Sequence, residues 1–446
     1  MKKIIIFILL PFTLQAQKNY TQLLDQYMIA QNQVKGFTGT VLVMKQNKVL
    51  LRKAYGMADR EWNIPNTPET RFEIGSATKQ FTAACILQLT EQGKLSLEDK
   101  LSKFLPNFPK ADSVTIHMLL NHTSGIANYT SQLQFGSLST LSLSKDSMIS
   151  FFANKPYSFL PGTRYSYTNS GYFLLGYIIE KVSGFSYGEY LKQNIFDKIG
   201  MNQSGVNKSD SILSMRARGY SMMGKKVVNA ANISMEWPFS AGALFSTVDD
   251  LYKWDRALYG TGVLTAASKQ KMFTPGKGNY GYGLIIDSLD NHPRIWHNGS
   301  IPGFFSKISH FSNDDVCVIV LSNTMVTQNN TLPITDVLAD GLAEIVFDLL
   351  VETPYIHKEV AIDASLLDKY VGKYDAGLTL EVIKKDNKLY RHRDGTPDIE
   401  LKPESNTKFF YADESNRQLE FELDKVGNVI KIWFINNEQR GEMKKL

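Results

Sequence analysis

Two apolar segments, far apart in the chain, must each fold back on themselves. Thr38 to Met44 and Val49 to Ala54 flank the polar Lys45-Gln46-Asn47-Lys48, while Phe304 to Phe311 and Val316 to Asn323 flank Ser312-Asn313-Asp314-Asp315. Each pattern reads as an antiparallel hairpin. Between them lie helical runs: Ala77 to Gln92 closed by Gly93, Gly171 to Val182 closed by Gly184, and Val248 to Tyr259 closed by Gly260. Strands early and late with helices between predict an α+β unit, its antiparallel sheet built from both ends of the segment and flanked by helices, with an all-helical region beside it. A last helical stretch, Ile334 to Leu350, ends near Pro354. From Leu378 onward short alternating runs dominate, such as Leu419, Phe421, Leu423 and Ile430, Ile432, Phe434, with turn signals at Asp386-Asn387 and Gly427-Asn428. The expected domains are therefore 17–355 and a small all-β accessory domain over 365–446.

The first residues read differently. Met1-Lys2-Lys3 precedes an apolar run from Ile4 to Leu14, broken by Pro11 and followed by Gln15-Ala16-Gln17. A basic start, a short apolar stretch and a small residue at the cleavage position describe a secretory signal peptide over 1–16. The run is well short of the ~20 residues a membrane span needs. A periplasmic or secreted protein without a membrane span is expected, and a signal peptide does not choose between the two locations. The 49 basic and 44 acidic residues are nearly balanced and no long Lys/Arg block occurs, so nucleic acid is not an expected partner. Cys85 and Cys317, the only two cysteines, each sit in an apolar run and read as small core residues, although thiols in an oxidising compartment are free to pair. No His, Cys or carboxylate spacing suits a metal, so neither metal nor cofactor is expected.

The sharpest chemical signal is Ser76-Ala77-Thr78-Lys79, an S-x-x-K at the start of a helix. Three residues make nearly one turn, so hydroxyl and amine share a face and the amine can help remove the serine proton. The helix N-terminus favours a developing oxyanion. S-x-x-K occurs four times, at Ser76, Ser142, Ser268 and Ser405, but only Ser76 leads into a long apolar helix where a lysine pKa can fall. Taken locally, Ser76 also reads as an ordinary N-cap. A rival nucleophile, Ser186 in Gly184-Phe185-Ser186-Tyr187-Gly188, follows a helical run where a nucleophile elbow follows a strand. With Glu189 it forms a capping box instead.

Two further motifs lie downstream. Tyr167-Thr168-Asn169 offers a phenol for proton transfer and an amide to bind a substrate carbonyl. In Trp296-His297-Asn298-Gly299-Ser300, Gly299 lets a substrate backbone come close, the Ser300 N–H can complete an oxyanion hole with that of Ser76, and His297 can orient substrate. Alone, each is a common loop pattern.

Together, Ser76-x-x-Lys79, Tyr167-x-Asn169 and His297-x-Gly299 resemble, in order, the three motifs of the serine β-lactamase and penicillin-binding-protein superfamily, most closely its class C branch of esterases and D-amino-acid peptidases. The resemblance extends to Gly39–Val43, Leu119–Ile126 and Ser240–Thr247, and covers about 20–350. It implies the β-lactamase/transpeptidase-like fold, with Ser76 attacking a carbonyl, Lys79 and Tyr167 managing protons, Asn169 binding substrate, the Ser76 and Ser300 amides holding the oxyanion, and no cofactor. The substrate it implies is a small ester, peptide or β-lactam. Many members carry Lys-Thr-Gly where this chain has His297-Asn298-Gly299, and a permanent cation there suits a substrate carboxylate. A histidine, mostly neutral at pH 7, points to an esterase or a peptidase ahead of an efficient β-lactamase. A non-hydrolytic penicillin-binding or wall-peptide-sensing protein is the remaining alternative. No oligomeric state follows from the sequence.

Overall fold

The computed structural model describes residues 18–446 apart from 209, 225, 329–331, 352, 356, 378, 414–416 and 437–438. The signal-peptide reading of 1–16 lies outside the described residues. The chain divides between residues 351 and 352 into two compact units.

In the first unit, β1 (Gly39–Lys45) and β2 (Lys48–Tyr55) join β3 (Ile285–Leu289), β4 (His292–Ile301), β5 (Phe304–Phe311) and β6 (Val316–Ser322) in one antiparallel sheet of order β3-β4-β5-β6-β1-β2. Gly39 pairs with Ser322 and Lys45 with Val316, so the early and late hairpins meet side by side as expected. Gln46 and Asn47 (φ 49° and 61°) and Asp290 and Asn291 (φ 45° and 67°) make the two-residue turns β1–β2 and β3–β4. Left-handed φ at both central residues is what such hairpin turns require, and Asn and Asp tolerate it best after glycine. The sheet is covered on both sides, which explains its continuous apolar runs. Val41, Val43, Val318 and Val320 face a core shared with Leu24, Leu338 and Leu342, while Leu42, Met44, Cys317 and Ile319 face the larger core on the opposite side.

Helix α1 (Tyr20–Lys35), for which the sequence reading made no provision, and α5 (Ile334–Val346) supply the first cover. Helices α2 (Thr78–Glu91), α3 (Asn169–Ser183) and α4 (Val248–Tyr259) supply the second. Every residue of α2 from Thr78 to Leu89 is buried, making it the central helix of the unit. Helix α3 starts two residues ahead of the expected Gly171, and α5 stops at Val346, short of Leu350. Asp348 explains the early stop: it takes φ 63°, and its carboxylate accepts from Tyr20 Oη at 2.9 Å. Cys85 and Cys317 are both buried and free.

In the second unit eight strands, from Gly372–Asp375 to Gln439–Lys445, close into a barrel around Tyr374, Val382, Phe409, Phe421 and Ile432. Its first strand falls within the expected 365–446, ahead of the alternating runs read from Leu378, a residue that itself lies outside the described ones. One expected alternation fails, since Ile430 is 49% exposed. The pairing jumps from Glu422–Lys431 to Leu423–Val429, leaving Ile430 as the extra residue of a bulge while Val429 takes the inward place.

Candidate active site

Ser76 lies in a single 3₁₀ turn, Gly75–Ala77, that runs straight into α2. Ser76 is partly exposed, whereas Lys79, one turn on, is wholly buried. Lys79 Nζ sits 3.0 Å from Ser76 Oγ, 2.8 Å from Asn169 Oδ1 and 2.8 Å from the carbonyl oxygen of Ala241. All three neighbours are uncharged, and burial pushes the lysine pKa well below its ordinary value.

Asn169 opens α3. Its backbone N–H donates to Asn128 Oδ1 at 3.1 Å and its Nδ2 to Thr130 Oγ1 at 3.3 Å, so the carboxamide is held at both ends once Lys79 is counted. Two residues earlier, the Tyr167 ring centroid lies 4.8 Å from Lys79 Nζ. Burial raises the phenol pKa, opposed by a hydrogen bond with Ser76, so the phenol keeps its proton at neutral pH.

Strand β4 closes the other side. A Cβ on Gly299 would fall 1.9 Å from the carbonyl oxygen of Ile74, and one on Gly75 (φ 50°) would fall 2.8 Å from Ser300 N. Only glycines let the serine turn lie this close to the strand. Ser306 on β5 fastens the seam, donating to Ile74 O at 2.8 Å. The close approach brings the exposed Ser300 beside the turn that carries Ser76. The buried His297 donates from Nδ1 to Asn298 O at 2.5 Å, leaving Nε2 to accept from Tyr280 Oη at 2.9 Å. Burial first, then the charge of Lys79, lowers its pKa to about 3. At neutral pH His297 is therefore an uncharged ring with both nitrogens engaged.

The structure thus brings Ser76, Lys79, Tyr167, Asn169, His297, Gly299 and Ser300 to one place. Sequence reasoning missed four contributors there: Thr130, Ala241, Tyr280 and His122. His122 is the most telling. Wholly buried with φ 61°, it accepts the Thr168 N–H on Nδ1 at 3.2 Å and packs 4.4 Å from the Tyr167 ring and 4.5 Å from that of Tyr280. Burial, above all, holds it neutral. Its segment, Leu119–Ile126, carried part of the family resemblance, but no local spacing marks the histidine. Tyr280 had no signal at all.

Two of the rival serines, Ser186 and Ser405, and the lysine that follows Ser142 have structural work. Ser186 forms the full capping box with Glu189. Lys145 pairs with Glu180 at 2.5 Å, and Ser405 Oγ accepts the Lys408 backbone N–H at 3.0 Å. Among the described residues, no group of three or more His, Cys, Asp and Glu side chains could hold a metal ion.

Residues 21–341 match the family model described as Beta-lactamase. Putative penicillin-binding protein PbpX of Bacillus subtilis (strain 168) is 35% identical over 298 residues, 66% of this chain and 72% of that protein. Among solved structures, the octameric penicillin-binding protein homologue from Pyrococcus abyssi gives a TM-score of 0.66 at 27% identity, covering 95% of this chain and 99% of that one. A D-amino acid amidase from Ochrobactrum anthropi SV3 shares the fold, with a TM-score of 0.65 at 24% identity over 74% of this chain and 98% of its own. A serine beside a buried lysine, at the start of the central helix of a fold shared with these proteins, agrees with the match over most of the first unit: the chain belongs to the β-lactamase family of serine hydrolases.

Proposed function

We propose that this protein is exported and hydrolyses ester or amide bonds through an acyl-enzyme on Ser76. The observation that carries the proposal is the set of atoms around Lys79 Nζ. A neutral amine has two N–H donors and one lone pair. Two of its three neighbours, Asn169 Oδ1 and Ala241 O, are carbonyl oxygens that only accept. They take the two hydrogens, which leaves the lone pair for the third neighbour, the Ser76 hydroxyl.

The chemistry follows. Ser76 Oγ forms a bond to the substrate carbonyl carbon while its proton passes to Lys79. The Ser76 and Ser300 N–H groups stabilise the oxygen that becomes negative. The C–N or C–O bond then breaks, and the leaving atom receives the proton from Lys79 by way of the Tyr167 phenol. Water attacks the resulting ester, gives a proton to Lys79, and Ser76 leaves with a proton restored. Asn169 holds the lysine through its oxygen and directs Nδ2 at a substrate carbonyl.

The uncharged His297 favours an esterase or amide hydrolase ahead of a β-lactamase, because it supplies no cation for a β-lactam carboxylate. The penicillin-binding relatives and the D-amino acid amidase fold support peptides containing D-amino acids as the amide substrates. Hydrolysis of p-nitrophenyl acetate that is lost in Ser76→Ala, with thermal unfolding unchanged, tests the nucleophile; activity surviving that substitution overturns it. Export rests on the 1–16 segment, and N-terminal sequencing of protein recovered outside the cytoplasm is expected to begin at Gln17.

A further inference from the structure

Away from the catalytic centre, a cavity of about 630 Å³ opens between the end of α3, the stretch that follows it and the segment 235–239. The volume lies well inside the roughly 300–1,000 Å³ usual for small-molecule sites. Ser76, Lys79, Tyr167 and Asn169 take no part in its lining. Phe196, Met201, Val206, Met235 and Phe239 give it an apolar wall. Five carboxylates share the lining with three lysines, and two of those lysines are already engaged, Lys145 with Glu180 and Lys192 with Asp197, each at 2.5 Å. Asn207 supplies the telling group. It is 3% exposed, its Nδ2 donates to Glu73 at 3.0 Å, and its Oδ1 meets no donor among the described residues. A buried acceptor without a donor is uncommon, and this one belongs to a residue of the cavity's lining, where a donor from outside the chain can reach it.

The cavity also connects to the centre through one residue. Phe239, a bulky side chain at φ 36°, opens the short helix Phe239–Gly242, and two residues on the carbonyl of Ala241 accepts from Lys79 at 2.8 Å. A residue of this kind keeps such a backbone only while its surroundings hold it there. The Phe239 ring packs on those of Phe173 and Tyr187, with centroids 5.2 and 5.3 Å apart, and it lines the cavity as well.

We propose that this cavity is an effector site for a small apolar molecule carrying an ammonium group, and that its occupant acts on catalysis through Phe239. An ammonium donates and does not accept, which matches Asn207 Oδ1 and the excess of carboxylates, while an anion would be repelled by the same groups. The apolar wall takes the rest of the molecule. An occupant seated against the Phe239 ring shifts the backbone that carries Ala241, so Lys79 loses one of the two carbonyls that orient it and kcat falls. The effect on kcat rests on the Ser76 reading above, whereas binding does not.

The probe is N,N-dimethylphenethylamine, which cannot be acylated, with phenethyl alcohol as its uncharged match. Titration calorimetry on protein whose centre has been filled by a fluorophosphonate is expected to show one site for the amine and roughly tenfold weaker binding of the alcohol. Asn207→Leu weakens the amine by a similar factor. Val206→Trp, which fills the cavity from a partly exposed position, removes binding and keeps its own ester hydrolysis. On untreated wild type, saturating amine lowers kcat for p-nitrophenyl acetate roughly fivefold with KM unchanged, and Val206→Trp does not respond. No binding to the filled protein, equal binding of the alcohol, binding that survives Val206→Trp, an unchanged kcat, or inhibition that raises KM instead overturns the inference. Ester hydrolysis that survives Ser76→Ala overturns the function proposal itself, and is thereby distinguished from failure of the effector site.

Discussion

At the scale of the residue, one amine sets the behaviour of the site. Protonated Lys79 cannot accept the Ser76 proton, so kcat/KM rises with pH through the depressed lysine pKa and then levels, because the Tyr167 phenol, its pKa raised, stays protonated. His297, with its pKa lowered to about 3, adds no limb between pH 5 and 8. A pH profile of His297→Gln should therefore keep the wild-type midpoint; a displaced midpoint would show that His297 titrates with catalysis. His122 is tested through its backbone. Asparagine tolerates a φ of 61° and offers an oxygen to the Thr168 N–H, whereas alanine does neither. His122→Ala is expected to lose roughly 2–4 kcal/mol in urea denaturation. His122→Asn should lose less. Ser76 and Lys79 were legible because their contact lies within one helical turn. His122 was not, because its partner Thr168 is 46 residues away and only the folded chain brings them together.

At the scale of the element, the serine turn and β4 touch through two glycines, and that contact brings Ser300 beside Ser76. Gly299→Ala would drive a Cβ into the Ile74 carbonyl, a backbone atom with nowhere to go. The variant is expected to lose ester hydrolysis even where circular dichroism shows a folded protein. Ser186→Ala removes a cap far from the chemistry, costs about 1 kcal/mol on thermal unfolding and retains activity. The hairpins and central helices were readable from periodicity, and the capping box from its four residues. The early end of α5 was not, because Asp348 is held by Tyr20 from the other end of the unit. Nor was the bulge at Ile430, since alternation carries no mark of where a pairing slips.

At the scale of the whole molecule, the chain is two units with separate cores. Between Val346 and Ala364 no helix or strand is formed among the described residues, so limited proteolysis is expected to cut there. Fluorophosphonate label should remain on the larger fragment. The composition shift near the start of the barrel made the second unit visible in the sequence, while its closure into eight strands depends on pairing of the Gly372–Asp375 strand with the last one, which no local pattern encodes. The central claim is an activated serine at the head of α2. Intact-mass spectrometry after fluorophosphonate treatment, followed by peptide mapping, tests it most directly. The account predicts a single adduct on Ser76, absent in Ser76→Ala and strongly slowed in Lys79→Met. An adduct on another serine, or none on well-folded protein, would contradict it.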